Sequence, residues 1–255
     1  GHSSFYWIVS RWADENGFER KRNFMIQISN LSKKYGETVV FSDLNYTFEN
    51  ACIYGLVGRN GAGKTTLLNI LSNYDKNYTG VISIDRKKMN KVDYLDMPVA
   101  YAMDQPSFFN ELTIYENLLL IASSRKIKKQ EAFDKIERIL DGLGLKKYEN
   151  YSPLELSKGT MQRLNNACAM IQEEKITIFD EPFSGLDPVQ MKLLENVIVE
   201  FHKKEKGIYI ISSHDIECLQ NVCDKCLLLH NGQIREINME EVDREEIAKI
   251  LSEGE

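Results

Sequence analysis

The stretch GRNGAGKTT, residues 58–66, constrains the fold of this chain more than any other feature. It matches the spacing G-x-x-x-x-G-K-[ST], which is typical of a phosphate-binding loop. The apolar run ACIYGLV (51–57) before it predicts a buried strand, and TTLLNILSNY (65–74) after it predicts a helix with leucines at helical spacing. A strand, a glycine-rich turn and a helix are the context in which this motif binds phosphate.

Glycines in this turn allow the backbone N–H groups of residues 60–65 to point inward, and the helix N-terminus adds positive partial charge. An ordinary glycine-rich turn would not be expected to match every position of the motif in this context. We therefore predict a site for a nucleoside triphosphate. Its predicted residues are Gly58, Arg59, Asn60, Gly61, Ala62, Gly63, Lys64, Thr65 and Thr66.

Two adjacent carboxylates, Asp180 and Glu181, follow an apolar strand in the stretch KITIFDEP (175–182). At the carboxyl end of a strand in an open α/β sheet, such side chains face the ligand crevice. We expect Asp180 to hold magnesium together with Thr65, directly or through water. Glu181 is then placed to orient and polarise an attacking water, so the predicted reaction is hydrolysis of the triphosphate.

A second anion site is predicted within LELSKGTMQRL (154–164). Ser157 and Gly159 lie just ahead of the helical segment TMQRLNNACAMIQEEK (160–175), and a serine-capped helix N-terminus can bind an anion. One chain needs only one cradle for a triphosphate. A second cradle therefore indicates that the site is completed by another chain.

Composition excludes several classes of protein. The length of 255 residues suits one sizeable α/β domain or two small ones, and the 43% apolar and 27% charged residues are ordinary for a soluble globular protein. No uninterrupted apolar run approaches the roughly 18 residues that would span a bilayer. A net charge of −6 disfavours a general nucleic-acid binder. The cysteines lie mostly in apolar or helical segments, as reduced cytosolic thiols do.

The spacing H-x3-C-x4-C-x2-C, which begins at His214 and ends at Cys226, could indicate zinc. Structural zinc sites usually show paired C-x2-C units, which this chain lacks. The stretch DIECLQNVC (215–223) instead predicts a helix whose apolar face, cysteine included, packs on the core.

Together these motifs resemble those of the ATP-binding-cassette ATPases, over nearly all of residues 24–240. LSKGT (156–160) stands where that family has its signature, usually L-S-G-G-Q. The resemblance implies an α/β P-loop fold with a mixed sheet, an antiparallel edge and a small helical subdomain. It also implies a head-to-tail dimer, with itself or with a like ATPase subunit, that sandwiches two ATP molecules. Ser157 and Gly159 of one subunit would contact the γ-phosphate bound by the other.

The resemblance assigns roles to further residues. Tyr35 in KKYGE matches the aromatic residue that stacks on adenine, and SGLD (184–187) matches the D-loop that crosses the dimer interface. His214 matches the switch histidine, which would hydrogen-bond the γ-phosphate. The signature departs from the family at Lys158 and Thr160, where glycine and glutamine are usual, and this leaves affinity and turnover open.

The segment YAMDQPSFFNELTIYENL (101–118) resembles the Q-loop region of the family. Gln105 is the obvious counterpart of the usual glutamine, whereas counting back from LTIYENL places that position on Asp104. Either side chain could reach magnesium or the attacking water, and Gln105 is the first choice. The aromatic pair Phe108–Phe109 is expected to form part of a groove for a membrane partner.

The single cassette and the modest stretch between the Q-loop and the signature favour transport over the coiled-coil repair ATPases and tandem translation factors of the family. The expected protein is an ATP-binding, ATP-hydrolysing subunit that binds transmembrane permease subunits at the cytoplasmic face of the cell membrane. DEPFSGLDP and SSHDIECLQNVCDK look most like bacterial exporters of the antibiotic-resistance and lantibiotic-immunity kind. The alternative is a non-transport ATPase of the same type that acts on a soluble partner.

The expected organisation has an extension, a domain and a tail. Gly1 and His2, in place of an initiating Met, look like a cloning remnant, and SSFYWIVSRW places apolar residues at helical spacing, typical of a packed extension. Regular structure is expected to begin at FMIQISNL, which alternates as a strand does. The predicted boundaries are 1–23 for the extension, 24–240 for the ATPase domain with a helical subdomain at about 105–160, and 241–255 for the tail.

Overall fold

A computed structural model describes residues 24–92 and 96–238, so the expectations for the extension and for the tail fall outside the described residues. The strands are β1 (Met25–Tyr35), β2 (Thr38–Glu49), β3 (Cys52–Val57), β4 (Thr79–Ile84), β5 (Lys87–Lys88), β6 (Val99–Ala102), β7 (Ile176–Phe179), β8 (Ile208–Ser213), β9 (Lys225–His230) and β10 (Gln233–Ile237). The α-helices of this part are α1 (Lys64–Leu71), α2 (Ile114–Ser124), α3 (Lys129–Gly142), α4 (Lys158–Met170) and α5 (Pro188–Glu205).

The strands form two sheets. One has the order β2-β1-β4-β5 and is antiparallel, and the other has the order β10-β9-β3-β8-β7-β6. In the second sheet β10 is antiparallel to β9, and the remaining pairings are parallel. Strands β3, β7 and β8 are buried along their whole length, which explains their continuous apolar runs. The predicted mixed α/β architecture with an antiparallel edge is confirmed.

Two apolar cores lie on opposite faces of the six-stranded sheet. Alternate residues of β3 serve each core, with Ile53 and Val57 in one and Tyr54 and Leu56 in the other. The core that contains Tyr54 also takes the buried face of α1 and the inner face of the antiparallel sheet. The other core takes helices α2 to α5. Helix α1 and the loop before it are therefore held between the two sheets.

Helices and turns, without a strand, occupy the described chain between β6 and α4. Helix α2 begins with a capping box, in which Thr113 and Glu116 each bond the other's backbone N–H group. Asn117, buried on α2, donates to the carbonyls of Phe109 and Leu112 and so fixes the loop before the helix. This region remains our proposal for the helical subdomain.

Two helices begin and end differently from the prediction. Helix α1 ends at Leu71 rather than at residue 74, because Asn73 adopts a φ of 62°, in the left-handed region that interrupts a helix. Helix α4 begins at Lys158 and ends at Met170, and Glu173 beyond it has a φ of 54°.

The helix predicted over residues 215–223 is wrong. Only a short 3₁₀ turn, Glu217–Leu219, forms there. The Asp215 carboxylate accepts from the Glu217 N–H group at 2.8 Å, and Asp224 accepts from the N–H group of Ile53 at 2.7 Å. These two hydrogen bonds hold the segment that precedes β9. All five cysteines are free thiols, and within the described ranges no cluster of His, Cys, Asp and Glu could hold a metal ion.

Candidate nucleotide-binding site

The loop between β3 and α1 wraps around the side chain of Lys64. The buried Lys64 ammonium donates to the carbonyl oxygen of Gly58 at 2.6 Å and to that of Arg59 at 3.2 Å. Gly63 has a φ of 100°, and a Cβ there would lie 2.6 Å from Cγ1 of Val40. Only glycine therefore fits between the lysine and the neighbouring strand.

The neighbours of the buried Lys64 ammonium compensate its charge only in part. Burial lowers the pKa of Lys64, and the Glu181 carboxylate, 3.6 Å from the ammonium, opposes that shift. Most hydrogen-bond partners of the ammonium are neutral carbonyl oxygens. An anion that approaches this buried cation would therefore interact with it strongly. The arrangement therefore suits a phosphate group.

Asp180 lies at the end of β7 and is fully buried. Burial raises the pKa of Asp180, whereas hydrogen bonds from the hydroxyls of Ser212 and Thr65 oppose that shift. The Ser212 hydroxyl donates to Oδ1 at 2.6 Å, and the Tyr101 hydroxyl lies 3.5 Å from Oδ2. A carboxylate beside the Thr65 hydroxyl offers the hard oxygen ligands that Mg²⁺ prefers, so these residues fit the predicted metal.

Glu181 lies between two basic side chains. Its Oε1 is 3.6 Å from the Lys64 ammonium, and its Oε2 is 2.9 Å from Nδ1 of His214. The backbone N–H group of Glu181 donates to Oγ of Ser212 at 2.9 Å. The carboxylate is thus held at the mouth of the loop, where it can orient a water molecule. In this structure the side chain of His214 bonds to the Glu181 carboxylate.

A cavity of about 540 Å³ joins these groups. It is lined by Tyr35, Thr38, Val40, Asn60, Gly61, Gly63, Lys64, Thr65, Thr66, Asp104, Glu181, Ser184 and His214. The structure therefore brings together most of the predicted loop with four more distant parts of the chain. Sequence reasoning did not single out Thr38 and Val40, which belong to β2 of the other sheet and carry no motif.

Tyr35 stands at the edge of this cavity with 53% of its surface exposed. The Lys33 ammonium lies 4.6 Å from the centre of its ring, and its hydroxyl donates to Oδ2 of Asp75 at 3.3 Å. Lys33 and Asp75 form an ion pair of 2.7 Å with each other. The hydroxyl and one face of the ring are therefore held, and the exposed part of the ring is available to a base.

The preference for Gln105 in the Q-loop is not supported by the geometry. Asp104 lines the cavity, and Gln105 is not among the lining residues. The Asp104 carboxylate is close enough to help raise the pKa of Asp180. Just before Asp104, the side chain of Asn165 donates to the Met103 carbonyl at 2.7 Å and holds the chain where it leaves β6.

Ser157 caps α4 as predicted but lies outside the cavity. Its hydroxyl accepts from the Thr160 N–H group at 3.2 Å. Gly159 packs closely on the D-loop, since a Cβ there would lie 3.1 Å from the carbonyl oxygen of Gly185. Neither Ser157 nor Gly159 lines the cavity that contains Lys64, which is the separation expected if a second chain completes the site.

Comparisons with known proteins agree with this geometry. The family model described as ABC transporter matches residues 41–184, more than half of the chain. An uncharacterized ABC transporter ATP-binding protein of Methanocaldococcus jannaschii is 32% identical over 82% of this chain and 75% of its own length. The bacitracin transport ATP-binding protein BcrA of Enterococcus faecalis is 30% identical, covering 87% and 71%. The tungstate uptake system ATP-binding protein TupC of Peptoclostridium acidaminophilum is 30% identical, covering 83% and 97%.

Solved structures give the same result. An ATP-binding subunit of an ABC transporter superposes with a TM-score of 0.77 at 27% identity, covering 87% of this chain and 92% of that one. A dimeric ATP-binding cassette in a post-hydrolysis state with ADP and Pi has the same fold, with a TM-score of 0.73 at 22% identity over 84% and 98% of the two chains. The fold and the site define a P-loop ATPase of the cassette type.

The chain belongs to the ABC transporter family, as an ATP-binding subunit with the ABC ATPase domain. In the part of the chain that the structure describes, no helix is long and apolar enough to cross a membrane.

Proposed function

We propose that this protein binds and hydrolyses ATP as a transporter subunit, dimerises on ATP, and drives conformational change in transmembrane partner subunits. The observation that carries the proposal is the single cavity in which Lys64, Thr65, Glu181 and His214 meet. Outside this cavity, the capped N-terminus of α4 presents a second anion site. A complete site therefore needs two chains, which are two copies of this one or a pair of like ATPase subunits.

Each side chain of the cavity has a separate task in this proposal. Lys64 binds the β- and γ-phosphates, and the ring of Tyr35 stacks on adenine. Thr65 and Asp180 would hold Mg²⁺, which neutralises phosphate charge when bound. Glu181 accepts a hydrogen bond from the attacking water and polarises it. His214 fixes the Glu181 carboxylate through the 2.9 Å contact, and Asp104 is the Q-loop residue that faces the nucleotide.

The dimer supplies the remaining contacts. Ser157 and Gly159 at the N-terminus of α4 contact the γ-phosphate of the nucleotide that the other chain binds. Closure of the two chains buries the phosphates, and the release of phosphate after hydrolysis opens them. The membrane partner senses this cycle as a change in the distance between the two subunits.

An apolar surface in the helical region suits the membrane partner. Phe109, Tyr151 and Leu154 are exposed, and we call them the helical-region patch. They belong to adjoining segments, because the Ser152 hydroxyl donates to the carbonyl of Asn110 at 2.7 Å. Exposed aromatic and aliphatic side chains on adjoining segments are typical of a protein interface. This interface would place the protein at the cytoplasmic face of the membrane.

For the direction of transport we propose export. This rests on the exporter-like motifs DEPFSGLDP and SSHDIECLQNVCDK. The names of similar proteins include a bacitracin transport protein and a tungstate uptake system, so the cassette also occurs in a relative named for uptake.

Purification from detergent-solubilised membranes of the source cells tests the transport proposal. A protein with several membrane spans should copurify at a constant ratio and stimulate ATP hydrolysis. Leu154→Glu should release that protein, whereas Tyr74→Glu, at another exposed position outside the helical-region patch, should retain it. A constant soluble partner, retained by Leu154→Glu and found without any polytopic protein, would instead favour the non-transport ATPase.

A further inference from the structure

Three side-chain amides of α4 reach out of the helix to loops of the ATPase site. Gln162, Asn165 and Asn166 are spaced i, i+3 and i+4, so they lie on one face of the helix. Each donates a hydrogen bond to a backbone carbonyl of a loop that is distant in sequence. The helix that bears the second anion site is thus bonded to the catalytic loops of its own chain.

The first loop holds Glu181 in a conformation that non-glycine residues rarely adopt. Its φ is 50°, and the following Pro182 restricts it further. Gln162 donates to the Glu181 carbonyl at 3.3 Å, and Asn166 donates to the Pro182 carbonyl at 3.2 Å. On the other side, Ser212 accepts from the Glu181 N–H group at 2.9 Å. Such a backbone persists only where its surroundings hold it from several directions, as these three bonds do.

The hydrogen bond from Asn166 to the Pro182 carbonyl comes at a cost in stability. Its side chain is completely buried, and its Oδ1 accepts no hydrogen bond from the described residues. A buried acceptor without a partner is unfavourable, so an apolar side chain would suit the packing of α4 better. The bond from Asn166 to the Pro182 carbonyl, next to Glu181, is the feature that accounts for a polar residue at this position.

The second loop is the one that brings Asp104 to the cavity. Asn165, which is buried, donates to the Met103 carbonyl at 2.7 Å, immediately before Asp104. One residue earlier, the Ala102 carbonyl accepts from the N–H group of Asp180 at 2.9 Å. The turn after β6 is therefore held by α4 on one side and by the catalytic strand on the other.

We propose that Gln162, Asn165 and Asn166 are positioning residues for ATP hydrolysis. They hold the backbones of Glu181 and Asp104 in place and join both to α4. The proposal rests on the proposed function, in which Glu181 polarises water and the N-terminus of α4 contacts the nucleotide of the other chain. Through these bonds, engagement of that nucleotide at the N-terminus of α4 is joined to the catalytic loops of the same chain.

Asn166→Leu separates positioning from folding. The variant keeps the branched shape and the number of non-hydrogen atoms of the side chain, removes the unsatisfied buried oxygen and removes the bond to the Pro182 carbonyl. We expect kcat to fall by about tenfold or more, because small displacements of a catalytic group are costly. The affinity of the monomer for ATP should stay unchanged, and the midpoint of urea unfolding should stay the same or rise. A purely structural role predicts the opposite, a lower unfolding midpoint with parental kcat.

Two more variants complete the test. Cys168→Ala, also buried on α4 and bonded to neither loop, should lower the unfolding midpoint and leave kcat of the folded protein at the parental value. Gln162→Met keeps the length of a half-buried side chain without its donor, so it tests the same claim if Asn166→Leu does not fold. We expect it to lower kcat and to bring the Hill coefficient for ATP closer to one.

The Glu181→Gln protein distinguishes failure of this inference from failure of the proposed function. If hydrolysis by the parent does not depend on Glu181, the proposed function is wrong. If Glu181→Gln abolishes hydrolysis while Asn166→Leu and Gln162→Met keep the parental kcat and Hill coefficient, the positioning role alone is overturned.

Discussion

The hydroxyl of Ser212 donates a hydrogen bond to Oδ1 of Asp180 over 2.6 Å. Its oxygen also accepts from the N–H group of Glu181 at 2.9 Å. The parallel register of β7 and β8, in which Phe179 pairs with Ile211, brings these residues side by side at the ends of the two strands. One serine hydroxyl therefore supports both the proposed metal ligand and the backbone of the proposed catalytic carboxylate.

Ser212→Ala should impair both roles at once. The buried Asp180 carboxylate and the Glu181 N–H group each lose a partner, so the free energy of unfolding should fall by about 1–3 kcal/mol. Magnesium titration of ATPase activity should show a higher midpoint and a lower kcat. Ser213→Ala is the control, because the Ser213 hydroxyl accepts from the Asp215 N–H group instead, and it should keep the parental magnesium midpoint. A parental midpoint in Ser212→Ala would contradict the metal assignment of Asp180.

Tyr35→Ala should weaken ATP binding by about tenfold, because stacking on a base contributes at this level. Tyr35→Phe keeps the ring and loses only the hydroxyl bond to Asp75, so its affinity should stay near that of the parent. Nucleotide titration by calorimetry gives both values. Tyr74→Ala, another exposed tyrosine but one outside the cavity, is the control. Equal affinities for Tyr35→Ala and the parent would remove Tyr35 from the adenine site.

Lys64→Ala should abolish ATP hydrolysis, because it removes the charge-assisted contact to the β- and γ-phosphates. The fold should remain intact, since the strand and the helix on either side are held by the cores, and circular dichroism would check this. Lys192→Ala removes an exposed lysine of α5 outside the cavity and should keep full activity. Normal turnover in Lys64→Ala would overturn the assignment of the nucleotide site.

Ser157→Arg should block ATP-dependent dimerisation and leave ATP binding by the monomer nearly unchanged, because Ser157 lies outside the cavity of its own chain. Light scattering with ATP measures the first quantity, and nucleotide titration measures the second. Ser152→Arg introduces the same side chain at another helix-capping serine and should still dimerise. Loss of both binding and dimerisation in Ser157→Arg would show that the serine does not act in trans.

The parts of the site that sequence reasoning located are those set by short-range patterns. The strand before residue 58 and the helix after residue 63 follow from local apolar periodicity and glycine spacing. Asp180 and Glu181 follow from their position directly after an apolar strand, and the cap at Ser157 follows from its place ahead of a helical pattern.

The features that the sequence did not predict lie in segments whose conformation depends on contacts with residues far along the chain. The apolar spacing in 215–223 also suits a turn, and the contact of Asp224 with the Ile53 N–H group selects the turn. The position of Asp104 at the cavity involves the turn after β6, where Asn165, far along the chain, donates to the Met103 carbonyl. Likewise, Thr38 and Val40 of β2 line the cavity because a second sheet packs over α1. A single sequence does not reveal that packing.

Glu181→Gln provides the most direct test of a dimer that hydrolyses ATP with Glu181 as the group that polarises water. Glutamine keeps the size of the side chain and its ability to hydrogen-bond water, but it lacks the charge and the basicity. Loss of such a group costs about 10²-fold or more in rate. ATP binding should survive, because the contacts of the phosphate-binding loop are unchanged.

The decisive measurement is the mass of Glu181→Gln in size-exclusion chromatography with light scattering, in the presence of ATP and magnesium. We expect a doubled mass with intact ATP in both sites, and a return to the monomer mass when Lys64→Ala is added. A Glu181→Gln protein that stays monomeric and hydrolyses ATP at the parental rate would contradict both the catalytic role of Glu181 and the ATP-bound dimer.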